Sequence, residues 1–153
     1  MQSYSIWVDA DSCQSKAKDM LLKTAKQHDV PVIYVANRPI PFSVESPLFS
    51  MVVCEKRKDE ADAYIIEHCT VQDIVVTRDL PLAHVILEKK GTVMNDRGVV
   101  FTQKILDRML KERELSMQMV ALGIRNGKFS TYSKEDVENF SKTLMNLVQE
   151  RSL

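Results

Sequence analysis

The chain reads as a three-layer α/β/α domain built around a mostly parallel sheet. Short apolar runs alternate with stretches of helical period along most of its length. Two of those runs end on acids, Ile6-Trp7-Val8 on Asp9 and Asp11, and Ile74-Val75-Val76-Thr77 on Asp79. Strands joined through helices need right-handed crossovers, which place helices on both faces of the sheet. The default winding has strand order 3-2-1-4-5, so the first strand lies beside the fourth and the winding reverses between them.

Each element follows from its local pattern. Tyr4 to Val8 reads as a buried strand, and Gln14 to His28 carries Ala17, Met20, Leu21, Thr24 and Ala25 at helical spacing. Val30 to Ala36 returns to strand character, completing a βαβ opening. Pro39, Pro41 and Pro47 cannot donate ladder hydrogen bonds, so Asn37 to Pro47 is a loop before a strand at Ser50 to Cys54. Asp59 to Cys69 is a helix, Asp73 to Thr77 a strand, and Asp79 to Lys90 a helix closed by Gly91. Thr92 to Met94 is a short strand, Asn95-Asp96-Arg97-Gly98 a turn, and Val99 to Phe101 a hairpin partner. From Thr102 the pattern is helical, with Ile105, Leu106, Met109, Leu110, Met117, Val120 and Leu122 as its apolar stripe and Gly123 as its end. A last helix runs from Ser133 to about Val148, with Asp136 placed to form a capping box with Ser133. Met109, Met117, Met119 and Met145 sit at spacings that suit either core or an oligomer contact.

With 153 residues, 44% of them hydrophobic, the chain fits a single domain, 1–153, with its C-terminal helices beginning at about 102. The 21 basic residues balance 21 acidic ones, so no global positive field draws polyanions, and any nucleic-acid contact must be local. No basic leader with an apolar core and no long apolar run is present, which points to a cytoplasmic protein without a membrane partner. Cys13, Cys54 and Cys69 are odd in number and lack a C-x-x-C pair, as suits reduced thiols rather than a disulfide frame or a zinc site. His28, His68 and His84 are scattered along helical stretches and read as surface or packing residues.

The strand-end acids carry the chemistry. The carboxyl ends of strands in an open α/β sheet line the ligand crevice, so Asp9, Asp11 and Asp79 should converge there. Asp59 and Asp62, three apart on the helix before strand 4, would join them. Taken singly, each acid has a simpler role: Asp11 or Ser12 can cap the first helix, Asp79 the helix after it, and Asp59 can oppose a helix dipole. Such a cap contributes roughly 1 kcal/mol. Two carboxylates about 4 Å apart repel by roughly 4 kcal/mol at an effective dielectric near 20, so a converged group needs a cation. Oxygen ligands without Cys or His suit Mg²⁺ or Mn²⁺.

Ile6-Trp7-Val8-Asp9-Ala10-Asp11-Ser12-Cys13, Val35-Ala36-Asn37, Asp59-Glu60-Ala61-Asp62, Asp73 to Ala83 and Asn95-Asp96-Arg97-Gly98 resemble, in order, the motifs of the YaiI/YqxD family. That family is grouped with the PIN-like nucleases, and the resemblance covers residues 4 to 125. It implies a PIN-like α/β fold and an acidic, metal-dependent site made of Asp9, Asp11, Asp59, Asp62 and Asp79. Gln14 and Ala63 stand where the family usually has a Pro and a further acid, and the glycine-rich segment is reduced to Asn126-Gly127. The missing acid weakens the case for a second ion, leaving a single-ion site or one that binds without cutting.

On this reading Asp9 and Asp79 hold the ion directly, Asp62 and Asp11 directly or through water, and Asp59 lies at the margin. The four catalytic acids would be Asp9, Asp11, Asp62 and Asp79. The substrate is RNA or another single-stranded nucleic acid. Its phosphates would meet the first helix N-terminus at Ser12 to Ser15, and Lys56, Arg57, Lys58 and Arg78 at the mouth. Asn37, at the end of strand 2, would orient the substrate or make a turn. An alternative is a haloacid-dehalogenase-type phosphatase in which Asp9 is the nucleophile, Asp11 the general acid/base and Thr77 the phosphate-binding hydroxyl. A third is a module that binds RNA or protein without catalysis.

Overall fold

A computed structural model of the chain describes residues 3–55, 59–124 and 131–152. The strands are β1 (Ile6–Asp9), β2 (Val32–Ala36), β3 (Phe49–Val53), β4 (Ile74–Val76) and β5 (Thr92–Met94). The helices are α1 (Ser15–Gln27), α2 (Glu60–His68), α3 (Leu80–Glu88), α4 (Gln103–Ala121) and α5 (Lys134–Arg151). All five strands run parallel in the order β3-β2-β1-β4-β5, the winding expected from the alternation. Among the described residues no helix is long and apolar enough to cross a membrane.

The period of two along each strand sends apolar side chains into both layers. Ile6, Val8, Val32, Tyr34, Ile74 and Val76 join Leu21, Leu22, Phe140 and Leu144 under α1 and α5. Trp7, Val35, Val75 and Val93 join Ile65, Leu82, Ile86 and Leu106 under α2, α3 and α4. Each fully buried aliphatic side chain contributes about 1.5–3 kcal/mol, so neither layer is dispensable.

The differences from the sequence reading have local causes. β1 starts at Ile6 rather than Tyr4, because the Ser5 N–H donates to Asp73 Oδ1 at 2.8 Å instead of joining a ladder. The hairpin expected at Val99 to Phe101 shrinks to one antiparallel bridge, Met94 to Val100. Asn95 Oδ1 accepts from the N–H groups of Arg97 and Val99, each at 3.0 Å, and curls the chain before a second strand can pair. Gly98 closes that turn at φ +85°, where a Cβ would stand 2.6 Å from the Asn139 backbone on α5.

The apolar stripe of α4 is core only in its first half. Leu106 is buried and Met109 packs beside it, whereas Met117, Val120 and Leu122 are exposed at 64%, 68% and 76%. Nineteen residues make a helix about 28 Å long, and α3 beneath it, with nine, spans about 13 Å, so the far half of α4 extends past α3. At the other end of the chain, Ser133 and Asp136 form the expected capping box at the start of α5.

A candidate acidic site at the carboxyl end of the sheet

Strand parity decides where the first acid points. Asp9 shares a side of β1 with Trp7, the face covered by α2, α3 and α4. Trp7 is paired with Val75, so two residues on Asp9 stands beside Thr77 at the end of β4. Thr77 Oγ1 donates to Asp9 Oδ2 at 2.8 Å, and Ser12 Oγ donates to the same oxygen at 2.9 Å. Thr77 Oγ1 in turn accepts from the Asp79 N–H at 3.0 Å, and Ser12 Oγ from the Arg78 N–H at 3.2 Å. Two hydroxyls therefore lock the buried Asp9 to the loop that carries Asp79.

Asp79 plays two parts. One carboxylate oxygen caps α3, accepting from the Leu82 N–H at 2.9 Å with Pro81 tolerated in the first turn. Its charge also acts on Asp62, on the first turn of α2. Burial pushes the Asp62 carboxyl up to about 7, helped by the charges of Asp79, Asp9 and Asp59. Asp9 is also raised, first by burial and then by Asp79 and Asp11, with the Thr77 and Ser12 hydroxyls opposing the rise. The charges of Asp9 and Asp79 thus bear on Asp62, with Asp59 adding to them from the start of α2.

Asp11 is turned the other way. Its Oδ2 accepts from the Asn37 N–H at 3.1 Å, and its Oδ1 lies 3.6 Å from Arg38 Nε. It ties β1 to the end of β2 and is absent from the groups that act on Asp62. Asn37 leaves its Oδ1 buried without a hydrogen-bond partner, an open acceptor beside that loop. Lys56 and Arg57 lie outside the described residues.

A residue that sequence reasoning left as part of a turn organises the other flank. Asp96 is 1% exposed, and its Oδ1 accepts from Arg78 Nε at 2.8 Å. Its Oδ2 accepts from the Gln14 N–H at 2.9 Å, so the start of α1 is capped by an acid 82 residues away. The backbone donors expected to receive a substrate phosphate at Ser12 to Ser15 border a site that already holds this carboxylate. Arg78 is pinned further by Tyr132, whose ring lies 5.9 Å beneath the guanidinium and whose hydroxyl donates to the Asp96 carbonyl at 2.6 Å.

An open cleft of about 590 Å³ separates this loop system from α4. Asp9, Ser12, Arg78 and Asp79 form one wall, and Glu112, Arg113 and Ser116 face them from α4. The signal for the second wall is visible in retrospect, because the helical stripe Leu106, Met109 continues into the polar Arg113 and Ser116.

The chain matches the uncharacterised YaiI/YqxD family over residues 7–150. It belongs to that family. Among YaiI/YqxD relatives, a UPF0178 protein of Treponema denticola is 36% identical over 143 residues, covering 94% of this chain and 90% of its own. One from Legionella pneumophila is 36% identical over 140 residues, covering 92% and 94%. One from Psychrobacter cryohalolentis is 38% identical over 149 residues, covering 94% and 99%. No solved structure matches the chain.

The donor set can be compared with what a metal ion needs. Among the described residues no three His, Cys, Asp or Glu side chains stand ready as a coordination shell. The donor chemistry by itself is of the hard-cation kind, since Asp9, Asp62 and Asp79 offer only oxygen.

Proposed function

We propose that this YaiI/YqxD protein is a metal-dependent phosphodiesterase that cuts RNA or another single-stranded nucleic acid at the Asp9, Asp62 and Asp79 cluster. One observation carries the reading. Asp73 and Asp96, the other buried acids of the sheet ends, are neutralised by N–H donors or by Arg78, whereas Asp9, Asp62 and Asp79 make no ion pair among the described residues. Like charges gathered without a counter-ion cost stability and are kept where function needs them.

In this reading Asp9 and Asp79 would hold Mg²⁺ or Mn²⁺, and Asp62 in its ionised form would be the third ligand. Such an ion, when bound, polarises the phosphodiester and makes a nucleophile of water. The chain's own residues supply position: Ser12 and Thr77 fix the Asp9 carboxylate, and the α3 cap fixes Asp79. Arg78, anchored by Asp96, offers a rigid cation to the phosphate, while Asp11 with Asn37 shapes the β2 side. Asp59 tunes Asp62 through its charge.

The phosphatase alternative asks Asp9 to attack phosphorus while Thr77 binds the phosphate. Against it, Thr77 is 1% exposed and its hydroxyl is given to Asp9, and Asp11, the required acid, is bound to the Asn37 backbone. The test is incubation of labelled single-stranded RNA and DNA with and without Mn²⁺. Cleavage that needs the ion and disappears in Asp79→Asn supports the nuclease. Retention of the strand without cleavage points to a binding module, and an aspartyl-phosphate trapped on Asp9 points to the phosphatase.

A further inference from the structure

We propose that Arg113 and Ser116 on α4 are the phosphate-holding wall of the cleft, taking the phosphodiester that the acids opposite would act on. The inference rests on the function proposed above and adds residues that neither the family match nor the sequence motifs assign. The two side chains are three apart on the helix, share a face and look across about 590 Å³ toward Asp9 and Asp79. Ser116 is half-buried and offers a hydroxyl donor. Arg113 is exposed and makes no ion pair among the described residues, whereas Arg108 on the same helix leans on Glu112 at 3.9 Å and Arg78 is tied to Asp96 at 2.8 Å. Arg113 is therefore, among the described residues, the cleft-lining cation that makes no ion pair, facing one held by Asp96.

The charges of the lining point to the ligand class. Arg78 is committed to Asp96 and Glu112 leans on Arg108, so among the described residues Arg113 is the lining cation that no acid answers. An anionic phosphodiester is the group it can take once a cation offsets Asp9 and Asp79 opposite. A guanidinium is suited to this task because its planar fork binds two phosphate oxygens at once. Strand binding should therefore depend on the ion and on Arg113 together.

The test measures fluorescence anisotropy of a labelled single-stranded RNA with a phosphorothioate backbone, in Mn²⁺ and in chelator, alongside Mn²⁺ calorimetry without RNA. Arg113→Ala should weaken RNA binding in Mn²⁺ by about 10- to 100-fold, the range for a lost charge-assisted contact, and leave Mn²⁺ affinity within about twofold. Arg113→Lys should recover part of the loss, and Ser116→Ala should cost about threefold. Circular dichroism should be unchanged throughout, since Arg113 is exposed on α4. RNA affinity that ignores Arg113→Ala while wild type binds Mn²⁺ and RNA overturns this assignment alone, whereas wild type that binds the ion but no RNA overturns it together with the strand-cutting reading. Wild type that fails to bind Mn²⁺ removes the underlying function instead.

Discussion

Asp73 and Asp9 are buried aspartates at opposite ends of one parallel sheet, and their surroundings could hardly differ more. At the amino end, Asp73 accepts from the Ser5 N–H at 2.8 Å, the Trp7 indole at 2.9 Å and the Thr70 N–H at 2.8 Å. Those N–H donors satisfy the charge and stitch β1, β4 and the α2–β4 turn together. At the carboxyl end, Asp9 receives two hydroxyls but also feels the charges of Asp79 and Asp11 and acts in turn on Asp62, and among the described residues no ion pair balances it. The contrast separates an acid retained for folding from acids retained in spite of it.

Replacing each tests that separation. Asp73→Ala should cost about 3 kcal/mol by stranding buried donors, which for a chain of this size lowers Tm by roughly 10 °C. Asp9→Asn in chelator should move Tm by no more than about 1 kcal/mol equivalent, because the amide oxygen still accepts both hydroxyls while one repelling charge is gone. Equal losses at the two ends would erase the distinction. Asp96→Asn falls between them, at about 2 kcal/mol, since it breaks a pair whose acid is 1% exposed and whose Arg78 side chain is 38% exposed to water. Thermal denaturation measures all three.

Acid titration sharpens the comparison further. The folded Asp62 value, near 7, lies above the ordinary 3.8, so the folded protein holds a proton that the unfolded chain has released between those limits. Its stabilising contribution is complete below pH 3.8 and is lost as pH rises through about 7. Metal-free Tm should decline by a few degrees across that window after screening by solvent, and Asp62→Asn should remove that component of the slope. A wild-type and variant pair with identical pH profiles would contradict the raised Asp62 carboxyl.

Much of this architecture was legible in the chain. The alternation of apolar runs and helical periods led to the observed strand order, and Asp9 and Asp79 stood out because each ends a strand at the reversal of the winding. Other features arise only from long-range contacts. Asp96 reads as a turn residue, yet it caps α1 from 82 residues away and anchors Arg78. Asp11 has the spacing of a site acid, but it lies past the end of β1, where strand parity no longer constrains it, and it turns to Asn37. The polar wall on α4 could not be placed without knowing that the helix lines the cleft opposite Asp9 and Asp79, and its far half read as core or an oligomer contact because periodicity records a face, not a partner.

The most direct test of the acidic cluster is isothermal calorimetry of Mn²⁺ with wild type, Asp9→Asn and Asp79→Asn, run above pH 7 where Asp62 has lost its proton. The expected result is one ion bound by wild type and at least about tenfold weaker binding by both variants. Equal Mn²⁺ affinity in all three proteins, or no binding by wild type, would contradict it.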